Sequence, residues 1–77
     1  MVNKLRFYRE QSGVEAAKLA REAKRAASTL ARIEAGEGNP RTTTLRSFYR
    51  ALVKLGYPEN APTYEEVFPA QAAEPKP

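Results

Sequence analysis

The sequence predicts an all-α protein, and three observations carry that expectation. Apolar residues recur at three- and four-residue intervals, as in Leu45, Phe48, Leu52 and Leu55, which places them on one helical face. Long stretches are rich in Ala, Leu, Glu, Lys and Arg, the strongest helix formers, above all from Val14 to Ala35, where neither Gly nor Pro occurs. Gly and Pro cluster instead between such stretches, and nowhere do apolar and polar residues alternate as they would in a half-buried strand.

The first helix starts near Asn3, whose side chain suits an N-cap, and runs to Gln11 or Ser12, where Gly13 is placed to end it in a left-handed cap. Leu5 and Tyr8 share its inner face, and Phe7 falls on the outer one. From Val14 onward two readings compete. Leu19, Ala23, Ala26, Leu30 and Ile33 follow a 4, 3, 4, 3 spacing, which is the seam of a coiled coil, and propensity alone favours one straight helix. Against it, Ala20 is small enough for two helices to cross tightly beside Leu19, and Leu30 with Ile33 gives the second half its own apolar pair. A bend near Lys24 would then make two helices of the run.

Gly36 and the Gly38-Asn39-Pro40 cluster form a stop, after which Thr42, Thr43 or Thr44 caps a helix whose inner face is Leu45, Phe48, Leu52 and Leu55. Gly56 closes that helix, and a loop through Pro58 and Pro62 leads to Thr63 and Glu66, which have the spacing of a capping box ahead of Val67 and Phe68. Residues 70–77 have too little apolar surface to offset ordering entropy, so the expected organisation is a folded domain over 1–69 and a disordered tail over 70–77.

A chain of 77 residues allows one domain with a thin core, a weakness that dimerisation would relieve. It contains no Cys and no His, which removes disulfides, thiol chemistry, the usual zinc ligands and the usual general base. The expectation is a cytoplasmic binding module with no catalytic, metal or cofactor site. Charge is segregated: residues 1–54 carry twelve Lys and Arg against five Glu, a net +7, whereas residues 55–77 carry one Lys against four Glu, a net −3. A positive helical segment suits a polyanionic partner. No run of 18 apolar residues and no signal-like N-terminus occur, so no membrane partner is expected.

Leu5, Tyr8, Arg9, Gly13, Val14, Leu19, Ala20, Leu30, Ile33, Glu34, Gly36, Asn39, Pro40 and Leu45 resemble, position for position, the phage Cro/repressor (Xre-type) helix-turn-helix family. The resemblance covers roughly Asn3 to Leu52, and Leu30-x-x-Ile33-Glu34-x-Gly36-x-x-Asn39-Pro40 is its most specific portion. It implies a compact four- to five-helix bundle of the lambda repressor kind, with helices at about 3–12, 14–22, 26–35, 43–55 and 63–68 and the turn at about 23–25.

The resemblance further implies a homodimeric transcriptional regulator that inserts the helix at about 26–35 into the major groove of double-stranded DNA. Carried over by position, Ala27, Ser28 and Arg32 face the bases; Lys18, Lys24, Arg25, Thr29, Arg41 and Arg46 meet the DNA backbone; Arg9 and Glu34 form a structural ion pair. The chain departs from the family at Ala16, where Gln is common, at Ala26 and Ala27, where polar residues are, at Ala35, where Asn or Arg is, and near Glu37, where a base is. Lys24 replaces the usual turn glycine, at a cost of about 1 kcal/mol if left-handed. These departures motivate an alternative, a protein-interaction module of antitoxin-like or phage-regulator type, with Phe7, Tyr49 and Tyr57 as a self-association surface.

Overall fold

Three left-handed residues divide the first half of the chain: Gly13 at φ 77°, Lys24 at φ 59° and Gly36 at φ 77°. In the computed structural model, which describes residues 3–69, they separate α1 (Leu5–Ser12), α2 (Ala16–Ala23) and α3 (Ala27–Glu34), followed by α4 (Thr42–Gly56) and α5 (Tyr64–Val67). The tail expected at 70–77 lies outside the described residues.

All three breaks use the same hydrogen bonds. Gly13 N–H donates to Glu10 O and Val14 N–H to Arg9 O; Lys24 N–H donates to Arg21 O and Arg25 N–H to Ala20 O; Gly36 N–H donates to Ile33 O and Glu37 N–H to Arg32 O. Each pair is a Schellman motif, which satisfies carbonyls that a helix end leaves open. The run from Val14 to Ala35 is therefore two helices, and the straight coiled coil is ruled out; Ala26, a residue of the proposed seam, is exposed. Because Val14 N–H is committed to the α1 cap, α2 starts at Ala16 rather than at Val14, and the turn is Lys24-Arg25-Ala26, one residue later than expected.

The other boundaries shift for local reasons. α1 begins at Leu5, with Lys4 in the N-cap position, but Asn3 still serves the helix start because Leu5 N–H donates to Asn3 Oδ1 at 3.0 Å. Arg41, extended at φ −73° and ψ 151°, precedes α4, so none of the three threonines is its N-cap. At α5 the capping box forms: Glu66 N–H donates to Thr63 Oγ1 at 3.1 Å and Thr63 N–H to Glu66 Oε1 at 2.8 Å.

The core gathers Leu5, Val14, Leu19, Ala20, Leu30, Ile33, Leu45, Phe48, Ala51, Leu52, Val67 and Phe68. Every helix contributes, so none of the short ones has to stand alone. α4 runs through the middle with Leu45, Phe48, Ala51 and Leu52 buried and Leu55 half-buried. α5 covers one end, where Lys4 N–H donates to Val67 O at 2.8 Å and so ties the last helix to the start of the first.

Tyr49 and Tyr57 do not form the aromatic surface expected of them. Both are half-buried, with the Tyr49 hydroxyl donating to Pro62 O at 2.9 Å and the Tyr57 hydroxyl to Tyr8 O at 3.0 Å, so their polar ends hold the α4–α5 connection in place. Phe7, at 57% exposure, is the one large exposed hydrophobic residue among the described residues.

Gly56 ends α4 for want of space, not for want of a left-handed φ. A Cβ there would fall 2.5 Å from Ser12 Oγ, 2.7 Å from Ser12 Cβ and 3.1 Å from Val14 Cγ2, so the Ser12 and Val14 side chains pack directly on the backbone of α4. Helix propensity favours Gly56→Ala, but the overlap with Ser12 Cβ is the larger effect, and the substitution is expected to lower stability by about 1–2 kcal/mol net, read as a reduced urea midpoint at unchanged m-value.

Candidate nucleic-acid interface

α3 is short, lacks a side-chain N-cap and owes its placement to its neighbours. Leu30 and Ile33 anchor its inner face in the core. Its far end is held by α1 in two ways. Asn3 Nδ2 donates to Ile33 O at 2.8 Å, so one asparagine serves the start of α1 and the end of α3 together. At the next residue of α3, Arg9 Nε donates to Glu34 Oε2 at 2.6 Å and Arg9 Nη2 to Glu34 Oε1 at 3.3 Å, a side-by-side pair, while Arg9 Nη1 donates to Val14 O at 3.0 Å.

The solvent exposure of this pair decides its worth. Arg9 and Glu34 side chains are 13% and 11% exposed, against 67% and 54% for Arg6 and Glu10 on the α1 surface. The outer pair is screened and contributes little, whereas the inner one is shielded and shared among three segments.

The outward face of α3 consists of Ala27, Ser28, Ala31, Arg32 and Ala35, all exposed, while Thr29 is half-buried. Of the residues expected to face bases, Ala27 and Ser28 stand in the first turn and Arg32 one turn later, on the same side of the helix. Arg32 also borders a shallow depression with Thr29, Glu37 and Asn39, formed where the α3–α4 connection folds back beside the helix.

The expected backbone-contacting cations differ in their surroundings. Lys18, Lys24, Arg25 and Arg41 are exposed. Arg46 is exposed too, but its guanidinium carbon lies 4.8 Å from the centre of the Tyr64 ring, a cation–π contact that turns it toward α5. Arg25 Nη2 donates to Ser47 Oγ at 3.3 Å, and Lys24, Ser47, Arg50 and Lys54 border a groove between the α2–α3 turn and α4. Sequence reasoning passed over Ser47, Arg50 and Lys54 here, because only the packing of α2 on α4 brings them beside Lys24.

Among the described residues, surroundings shift Tyr64 and Arg6 from their ordinary values. Burial pushes the Tyr64 phenol up, with Arg46 pulling the other way, and the Tyr64 hydroxyl has no hydrogen-bond partner among the described residues. The hydrogen bond to Glu10 raises Arg6 further, which leaves an already permanent charge in place. No three His, Cys, Asp or Glu gather into a metal-sized group among the described residues, and no helix there is long and apolar enough to cross a membrane.

Two eight-residue helices joined by a left-handed turn, the second buried on one face and open on the other, define a helix-turn-helix domain, an architecture of DNA-binding regulators. The chain belongs to the helix-turn-helix domain family, whose family model matches residues 1–53. Neither a curated protein nor a solved structure matches it.

Glu34→Ala would leave the shielded Arg9 guanidinium without its carboxylate and loosen the end of α3. It is expected to cost about 2–3 kcal/mol in urea unfolding, and the Arg9→Met, Glu34→Ala double variant to lose less than the sum of the single losses.

Proposed function

We propose that this chain is a small cytoplasmic transcriptional regulator of the Cro/repressor (Xre) kind, which binds double-stranded DNA as a homodimer and lays α3 in the major groove. What supports this reading is the α3 face, held in place from behind by Arg9 and Asn3 and open in front, with Lys24 and Arg25 in the turn that leads into it and Lys18 and Arg41 exposed on the neighbouring segments. Cations of this kind neutralise phosphates and carry most of the affinity; the α3 side chains supply what selectivity there is.

Base reading in this account is sparse. Arg32 takes guanine O6 and N7, the one bidentate contact the face offers, Ser28 bonds weakly to any of several edges, and Ala27 packs on a thymine methyl. The three alanines at 27, 31 and 35 let the helix axis approach the groove floor closely but add no hydrogen bonds. Affinity therefore rests on phosphates and groove shape more than on bases. The rival reading, a protein-binding module on the same fold, draws on those alanines and on the exposed Phe7 ring.

A salt titration of binding to duplex DNA separates the two. Log K is expected to fall against log salt by about 0.9 for each phosphate engaged, whereas a slope near zero would sink the DNA-binding reading. Arg32→Ala is expected to cost about 1–3 kcal/mol at one position of a selected site and to relax preference there; an equal loss on all sequences would reduce Arg32 to a phosphate contact.

A further inference from the structure

We infer that the groove between the α2–α3 turn and α4 is a second phosphate-binding track, in which Arg50 and Lys24 take the DNA backbone flanking the segment under α3. This rests on the DNA-binding reading above. The groove is bordered by Lys24, Ser47, Arg50 and Lys54 and by one carboxylate, Glu22. Lys54 Nζ donates to Glu22 Oε2 at 2.9 Å, which accounts for that carboxylate. Among the described residues no carboxylate pairs with Lys24, Arg25 or Arg50, and Ser47 holds the Arg25 guanidinium at the groove by accepting its hydrogen bond.

The backbone at Lys24 points the same way. Of the three Schellman caps, the outer two place glycine at the left-handed position, and the middle one places lysine there at φ 59° and ψ 41°. A left-handed lysine is strained relative to glycine, and retained strain marks a side chain that is used. What it delivers is an ammonium group at the mouth of a cationic groove.

The ligand is the phosphodiester backbone because the groove opens at the turn that leads into the reading helix: Lys24 and Arg25 stand two to four residues before Ala27 and Ser28. Any duplex lying against α3 brings phosphates past this turn. Arg46, one turn before Arg50 on α4, is instead engaged with Tyr64 and lies outside the track.

Lys24→Gly, Arg50→Gln and Arg46→Gln each remove one positive charge, and each full-length variant is to be melted and then titrated with salt against a short duplex of random sequence. Lys24→Gly is expected to raise Tm by roughly 2–8 °C, since it relieves strain, and yet to reduce the salt slope by about 1. A loss of binding in a more stable protein has no structural excuse. Arg50→Gln should lose the same slope with Tm unchanged, and Arg46→Gln should keep the wild-type slope. Wild-type slopes in Lys24→Gly and Arg50→Gln would overturn the track while leaving the DNA-binding reading intact; a flat wild-type slope would overturn that reading first. Equal losses in all three variants would mean a general charge effect and overturn the track. Unchanged DNA slopes together with weakened binding to oligoglutamate would assign the groove to an acidic protein segment instead.

Discussion

The guanidinium of Arg9 is the point on which the placement of α3 depends. It stands on α1, bonds the carbonyl of Val14 at the approach to α2, and pairs side by side with Glu34 at the end of α3, so three segments are fixed by one planar group. Five N–H donors in a rigid fork suit this task, and a lysine, with its three donors on one nitrogen, could not pair side by side with the carboxylate. Because the pair is mostly removed from solvent, its hydrogen bonds are neither screened nor easily exchanged for water, and losing either partner would strand the other. Asn3 works beside it on the neighbouring carbonyl, which makes the whole α3 terminus a structured attachment rather than a fraying end.

That attachment has a functional corollary. A helix of eight residues without a side-chain N-cap has little intrinsic stability, so a surface made of its outward residues is only as well placed as its inner contacts make it. α3 gains rigidity from Leu30 and Ile33 inside, from Arg9 and Asn3 at its end and from the Schellman turn at its start. In the DNA-binding reading, the outer face then contributes mainly a smooth profile and one arginine. Cations on the rim supply the attraction, which would make such a protein strongly responsive to ionic strength and modest in its sequence preference.

α4 sets the distances. Its buried stripe packs against both α1 and α2, and its glycine end takes the Ser12 and Val14 side chains of the α1–α2 turn directly against its backbone. The same packing lays Ser47, Arg50 and Lys54 beside Lys24. α5 is too short to contribute rigidity of its own, yet Val67, Phe68 and the backbone bond from Lys4 make it a lid on the core that α1 and α4 would otherwise leave open.

The elements written in local chemistry were legible in the sequence. Gly13 announced a left-handed cap and Gly36 a stop, the 3, 4, 3 stripe announced α4, and Thr63 with Glu66 announced the capping box, because each depends on residues a few positions apart. The division of the run from Val14 to Ala35 was not local, since neither Gly nor Pro marks a break there; Leu19 and Ala20 on one side, and Leu30 and Ile33 on the other, are all buried with Lys24 turned against its own preference. The site divides the same way. Sequence alone determined which residues carry charge and which helix faces are apolar. Tertiary structure decided that Arg46 leans on Tyr64 while Arg50 joins Lys24, because helix packing brings together residues far apart in the chain, and a burial gain shared by five helices outweighs the preference of any single turn.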